Sequence, residues 1–349
     1  MLSFFKKSKG AVLGLDIGTS AIKMVELIPS GGSAKLSRWA IHALPPGVIT
    51  ENTITNVDAV IDVFVRAVAR ESIKAKRVVS AVCSSHAVSS NIVLPGDLSD
   101  GEMEEQVEID AAQFVPYALE DVNLDFQVLG ASGLNPDDYE VLAVACRREI
   151  IEDYVAVIEA AELDAEIVDI DTYALERVVA HAHPSSGLDA VVDVGHSNTH
   201  LGIFGDNKTL YSRYQPFGGK QLVDLVVQRY GVSDEEAEGL IRSESPPDGY
   251  RREVLPQFVQ LTAKETARAL QFFYSSSSTS SVDRVIVTGG ASQIPGLIEG
   301  VEKELGVRTI TLDPFSNITH KFDSHHLAQV SGSLAIACGL ALRGIDDSN

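Results

Sequence analysis

Apolar and polar residues alternate from Val12 into Asp16, Gly18 interrupts the run, and an extended apolar segment resumes from Ile22 to Leu27. A period of two broken by a glycine predicts a strand, a tight turn and a second strand, and Lys35 to Ala43 continues as a third. From Asn56 the period changes. Val57, Val60, Ile61, Phe64, Val65 and Val68 recur at helical spacing, so one helix face must pack on a sheet, and Arg77 to Cys83 then reads as a buried strand.

Between Ser84 and Ala165 the pattern becomes that of a small α+β unit. Ser89 to Leu94, Val122 to Leu129 and Tyr139 to Cys146 read as strands. Ser99 and Glu102 form a capping-box pattern that opens a helix through Met103, Val107, Ala111 and Phe114, stopped by Pro116. A second helix, Arg148 to Ala161, is assigned to the same unit, and Phe114, Tyr117, Leu124 and Phe126 stand at core-like spacings. Ile167 to Val179 follows as strand and helix, and the polar stretch Ala182 to Gly187 as a surface connection. Later come a helix from Lys220, a long helix from Glu253 to Tyr274 with Val254, Phe258, Leu261, Ala269, Leu270 and Phe273 inward, a low-complexity linker Ser275 to Ser281, and a closing helix Ser331 to Arg343 rich in Ala and Gly.

The turns carry the candidate chemistry. In Leu15-Asp-Ile-Gly-Thr-Ser20, Gly18 lets an anion approach the backbone, Thr19 and Ser20 offer donors, and Asp16 faces the cation that accompanies a polyphosphate, through water. An ordinary hairpin with a polar tip explains this segment equally well by itself. A second copy, Val191-Val-Asp-Val-Gly-His-Ser197, shifts the balance: Asp193 stands 177 residues after Asp16, close to half of the 349-residue chain. A third glycine turn, Gly289-Gly290, ends a buried strand, and Phe217-Gly-Gly-Lys220 opens a helix whose N-terminus suits an anion.

Composition narrows the classes. With 45% hydrophobic and 22% charged residues the chain buries a large core in two or more domains. A formal charge of −21 argues against nucleic acid or an anionic lipid surface. Lys6, Lys7 and Lys9, after Phe4 and Phe5, form the one basic patch, and it lacks the apolar core of a signal peptide. No run of about 18 apolar residues is free of charge, so no transmembrane helix is expected. Cys83, Cys146 and Cys338 lie apart in apolar runs, as reduced core residues of a cytoplasmic protein do. Apart from the adjacent His325 and His326, no histidine pairs at a recognisable ligand spacing with acidic or thiol partners, and they read as surface or core residues.

The two carboxylate hairpins and the glycine turn resemble the two phosphate motifs and the adenosine motif of the actin-like ATPase superfamily. That resemblance implies an α/β fold of two lobes, each a ribonuclease-H-like domain, with an FtsA-like α+β insertion subdomain in the first. The implied divisions are 1–83 for the first-lobe core, 84–165 for the insertion, 166–187 for the return and inter-lobe connection, 188–326 for the second lobe and 327–349 for a closing inter-lobe helix. Gln113 to Leu129 and Thr309 to Ile318 further resemble segments of the PilM family of type IV pilus assembly, with Asp313 where that family has Asn.

From the resemblance, ATP and Mg are the expected cofactors, held by Asp16, Gly18, Thr19, Ser20, Lys23, Asp193, Gly195, His196, Ser197, Gly218, Gly219, Lys220, Glu238, Gly289, Gly290 and Gln293, with Asp16 and Asp193 on the metal through water. Glu238 is in doubt as a ribose contact because Ile241 replaces the expected lysine, and Gln293 replaces an arginine over the base. No residue aligns securely as the one orienting a water among Asp169, Asp171 and Glu176, so slow hydrolysis or none is expected. The implied partner is the cytoplasmic N-terminal peptide of PilN, received in a groove between the first lobe and the insertion, with Glu104, Glu105 and Glu108 meeting a basic flank. This places the protein in the cytoplasm, peripheral to the inner membrane, with homo-oligomerisation open. A filament-forming FtsA-like protein and a small-molecule kinase are the competing readings. The first lacks a C-terminal amphipathic membrane helix, and the second lacks an evident base.

Overall fold

The computed structural model describes residues 10–133, 135–205, 208–243, 245–277 and 279–346; the basic patch at Lys6, Lys7 and Lys9, Ser278 of the serine run and residues 347–349 lie outside them. Strands β1 (Val12–Ile17), β2 (Ala21–Ser30) and β3 (Ser33–Ala43) form the expected meander. A two-residue-strand hairpin, β4 (Ile49–Thr50) and β5 (Thr53–Ile54), leads to α1 (Val57–Glu71), whose first turn is capped by the Asn56 side chain accepting the Ala59 N–H. Then β6 (Arg77–Val82) runs parallel to β1.

A single 3-10 turn, Ser84–His86, enters the insertion: β7 (Ala87–Pro95), α2 (Asp100–Phe114), β8 (Val122–Ala131) and β9 (Asp138–Arg147). The capping box is present, with the Glu102 carboxylate accepting from the Ser99 N–H and hydroxyl. The chain returns through α3 (Arg148–Glu159), β10 (Asp164–Ile170) and α4 (Asp171–Ala182).

The second lobe repeats the first. β11 (Asp189–Val194), β12 (Thr199–Gly205) and β13 (Lys208–Gln215) precede α5 (Lys220–Tyr230), α6 (Asp234–Arg242), α7 (Leu255–Ser276), β14 (Arg284–Thr288), α8 (Leu297–Leu305) and β15 (Thr309–Thr311). The strand orders are β10-β6-β1-β2-β3 and β15-β14-β11-β12-β13, with the meander strands antiparallel and the other pairings parallel in both. One topology thus occurs twice, as the duplicated Asp-x-Gly turns lead one to expect.

Helices α9 (Ser324–Val330) and α10 (Ala335–Asp346), joined by a 3-10 turn at Ser331–Leu334, close the described chain. α10 and α4 lie between the two sheets. Their Ala337, Leu340, Ala174 and Val178 share one core with Val12 and Val79 of the first sheet and Val191 and Ile286 of the second. The stretch Ser324–Asp346 is long and apolar enough to cross a membrane by length and composition, yet 67% of its most apolar 18-residue window is buried inside the protein. Its apolarity is accounted for by contact on both sides.

Four local expectations are corrected. α3, grouped with the insertion on sequence, puts Ile150, Tyr154, Val157 and Ile158 against Val60 and Phe64 of α1 and Val78 and Val82 of β6, in the first-lobe core. Its period shows an apolar face but not which surface that face meets. In α7, Leu261 is 38% exposed, because the inward phase passes through Phe258, Thr262 and Thr266. The two threonines fit there by donating back to the carbonyls of Phe258 and Thr262. Tyr117 lies on the surface beneath the Arg147 guanidinium, 5.7 Å from its ring centre, while Phe114, Leu124 and Phe126 pack in the insertion core. The serine run begins within α7, which continues through Ser276.

Candidate functional site

The register of β1 and β2 sets Asp16 opposite Lys23, and the ammonium reaches the carboxylate at 2.9 Å. Burial alone would lower the Lys23 pKa. Asp16, by charge and hydrogen bond, and Asp193 outweigh it and raise the pKa above its ordinary value. The equivalent register in the second lobe sets Asp193 opposite His200. His200 is buried, stacks on Tyr214 at 4.6 Å and has its pKa pushed down to about 3, so it is neutral and gives Asp193 no counter-charge. Burial therefore dominates at Asp193 and raises its pKa to about 7, with Lys23 opposing and Asp16 and Asp171 adding to the rise.

The two turns close alike. The Gly18 N–H donates to Ala21 O at 3.1 Å, and the Gly195 N–H to Asn198 O at 3.0 Å. The start of α5 is fastened to the second turn by Gly219 N–H to Gly195 O and Lys220 N–H to His196 O, each 2.8 Å. The Gly289 turn packs against the end of β11. Gly289 takes φ +89°, and a Cβ there would lie 2.4 Å from Asp193 Oδ1 and 2.5 Å from Val194 O, so this position admits only glycine.

Lys23 and Asp16 of the first lobe thus lie close enough to Asp193 of the second for their charges to act on it, and within the second lobe Gly218 packs on the Gly195 turn and Gly289 on the end of β11. His196 is half-buried, and its pKa is lowered by that burial. Lys220, Glu238 and Arg242 lie close enough to His196 for their charges to act on its ring. Lys220 pairs with Asp224 at 2.7 Å and Asp234 at 3.5 Å, Glu238 pairs with Arg242 at 2.7 Å, and Gln293 is exposed.

A polar seam beside these turns was not legible in the sequence. Asp171, the first residue of α4, accepts from the Tyr214 hydroxyl of β13 and from the Ser84 N–H at 3.0 Å. Burial raises its pKa to about 6, against the hydrogen bonds from Tyr214, Ser84 and Thr172; Asp16 adds a smaller rise. Next to it, Thr172 Oγ1 lies 3.1 Å from Ser212 Oγ and 3.2 Å from His200 Nε2. These contacts join residues 28 to 87 positions apart, and no local spacing announces them.

The insertion presents one covered and one open sheet face. α2 covers the side of Ile92, Leu94, Val141, Ala143 and Phe126. By strand alternation the other side carries Asn91, Val93, Gln127 and Leu142, with Val93 48% exposed. At its foot a cavity of about 250 Å³ lies among Ser85, Ser89, Tyr173, Thr209, Ser212 and Tyr214, between the insertion and both lobes. Glu104, Glu105 and Glu108 are exposed on α2, which sits on the covered side.

A family model described as type IV pilus assembly protein PilM matches residues 14–345. Among solved structures, a chain of a PilM–PilN type IV pilus biogenesis complex is similar at 25% identity over 97% of this chain and 99% of that one, with TM-score 0.81. The ethanolamine utilization protein EutJ from Carboxydothermus hydrogenoformans is similar at 16% identity over 95% and 88%, TM-score 0.59. MreB5 of Spiroplasma citri, solved with ADP, is similar at 12% over 98% of both chains, TM-score 0.52. The last two bear on the fold alone, and the fold is the actin-like one.

Proposed function

The chain belongs to the PilM family of type IV pilus assembly proteins, and we propose that it is an adaptor that binds Mg·ATP between its lobes and holds the cytoplasmic N-terminal segment of a PilN partner. The observation that carries the nucleotide reading is the approach of two carboxylates, each behind a glycine turn of a different lobe: Asp16 is paired to Lys23, and Asp193, with no ion pair of its own among the described residues, still feels both charges. Two features suit Mg·ATP. Asp193 is a half-buried carboxyl that a hydrated cation would hold ionised, and Lys23 is held charged within reach of it. Asp16 and Asp193 would hold Mg through water. Lys23 and the amides of the two hairpin turns would meet phosphate oxygens, and Thr19, Ser20 and Ser197 would add hydroxyl donors.

When bound, the nucleotide would supply phosphate charge that groups of both lobes could hold, and turnover is not required for that. The Asp171 carboxylate is already engaged on both oxygens, by Tyr214 and by Ser84. A base so occupied is poorly placed to orient an attacking water. Purified protein is expected to release phosphate from ATP far below the usual enzyme rates of about 1 to 10³ per second; steady turnover within that range contradicts the reading.

For the partner, the neighbouring complex contains PilN, and this chain has a sheet face left open in its insertion. An extended apolar peptide fits beside Val93 and Leu142, with alternate side chains directed at the cavity below. Asp125 and Glu140 border that face, whereas Glu104, Glu105 and Glu108 stand behind it on α2; a basic flank therefore meets the former pair. Bound in this way, the protein would sit on the cytoplasmic face of the inner membrane through its partner. Fluorescence anisotropy with the PilN N-terminal peptide should give saturable binding to the full protein and none to a variant carrying Val93→Asp and Leu142→Asp. Undiminished binding by that variant places the groove elsewhere.

A further inference from the structure

The tip of the β4–β5 hairpin is built from two residues in the left-handed region, Glu51 at φ +50° and Asn52 at φ +63°. A two-residue hairpin turn of this hand is most cheaply made with glycine at its second position. The chain places asparagine there, and accepts a left-handed glutamate before it, at a cost of order 1 kcal/mol. What the asparagine side chain adds is contact in two directions. Asn52 Oδ1 accepts from Asn198 Nδ2 at 2.9 Å, and Asn198 closes the second glycine turn. Asn52 Nδ2 points to Ser85 Oγ at 3.5 Å, in the 3-10 turn that enters the insertion.

The neighbours reinforce both ends. His86 Nε2 lies 3.2 Å from Glu51 O, to which it donates, and 3.2 Å from Thr53 Oγ1, so the entry turn is held on the tip by a second side chain. Ser84 is fixed in turn by Asp171. On the first-lobe side, the Leu44 N–H donates to Ser20 O at 2.9 Å, tying the segment that precedes the hairpin to the first glycine turn. The tip therefore touches the second lobe's turn, the first lobe's turn through a short segment, and the root of β7. Rotation of the lobes moves the first of these relative to the other two, which both belong to the first lobe.

We propose that Asn52 is a positioning residue that transmits the state of the second phosphate turn to the root of the insertion, so that nucleotide in the cleft sets the placement of β7 and of the open sheet face. This rests on the nucleotide reading above and extends it with a route. Closure of the lobes on phosphate holds Asn198 against Asn52, Asn52 holds Ser85, and the entry turn stiffens; an open cleft withdraws Asn198 and frees it. By linkage, any ligand that stiffens the entry turn favours nucleotide by the same factor.

Hydrogen exchange of the full chain with and without Mg·ATP tests this without needing the partner. Calorimetry first establishes nucleotide binding in each protein. In the wild type, Mg·ATP is expected to slow exchange of amides in 84–95 by about tenfold or more, along with those of the two glycine turns. Asn52→Gly suits the backbone better than asparagine and should fold at least as stably. It is expected to bind Mg·ATP and protect the glycine turns while losing the response in 84–95. An Asn52→Gly protein that keeps the full response at 84–95 overturns the proposal. So does a wild type that binds Mg·ATP and protects its glycine turns with no change at 84–95, a result that leaves the nucleotide reading intact. A wild type that gives neither heat nor protection overturns the nucleotide reading and this inference with it.

Discussion

Replacing Gly339 by alanine is expected to destabilise the protein by about 3 kcal/mol or more, and Gly14→Ala by a similar amount, although both glycines lie in regular secondary structure. In an open helix the Gly339 substitution would gain about 1 kcal/mol in propensity. Here the added Cβ would sit 2.0 Å from Ala174 O, the backbone of α4, where α10 and α4 cross. On the opposite side of α10, a Cβ at Gly14 of β1 would sit 1.9 Å from Ala337 O and 2.6 Å from Ala341 N. All these partners are backbone atoms, so no rotamer change relieves the overlap. α10 is held between a strand and a helix and cannot move from one without meeting the other. Overpacking of this kind costs typically about 1–3 kcal/mol and more where backbone must shift, which outweighs the propensity gain. Gly239 of α6 is the control: nothing lies within 4 Å of its Cβ position, so Gly239→Ala should raise stability slightly. Urea unfolding of the three variants decides the matter, and equal midpoints for Gly339→Ala and Gly239→Ala would sink the argument for a close crossing.

Asp193→Ala and Asp193→Asn are each expected to weaken Mg·ATP by about a hundredfold, roughly 2.7 kcal/mol, for a reason the pH dependence exposes. The Asp193 carboxyl is held near pKa 7 by burial, against the opposing charge of Lys23, and has no ion pair of its own among the described residues. Cation binding favours its ionised form, so it releases a proton below that pKa. Wild-type affinity should therefore climb by up to about tenfold per unit from pH 5 to 7 and level off above, and Asp193→Asn should lose this contribution. Stability of the ligand-free protein runs the other way. A carboxyl whose folded pKa is raised binds a proton that the unfolded chain has lost above about pH 4. Its contribution is thus present at low pH and is lost as pH rises through 7. Asp193→Asn removes that loss, so at pH 8 the ligand-free variant should unfold at a higher temperature than the wild type while binding Mg·ATP far more weakly. Isothermal titration across pH 5–8 with paired melting curves checks both halves; an Asp193→Asn protein with wild-type affinity at pH 8 removes Asp193 from the site.

Much of the candidate site was legible because it is local. Gly18 with Asp16 and Lys23, or Gly195 with Asp193 and Ser197, fall within a few residues of one another, and a turn between two strands brings them together whatever the rest of the chain does. The repeat of that pattern half a chain later also announced the duplicated topology. The partners of Lys220 and Glu238 are local too: Asp224 and Arg242, each four residues on, pair with them, and both pairs lie within reach of His196.

Sequence by itself determined the principal strands and helices (though not β4, β5, β13, α6 or α9), where Asn56 and Ser99 begin helices, and that two carboxylate turns exist. Those depend on dihedral preference, capping and period, which act within a few residues. Only the tertiary structure decided that α3 packs on the first lobe, that Asp193 faces a neutral His200 and not a lysine, and that Asn52 joins Asn198 to Ser85. Each of these depends on which surfaces meet, and an apolar face or an amide side chain specifies that it needs a partner without specifying which one. Burial and the pairing of charges, and with them the pKa of Asp193, exist only once distant segments have been packed together.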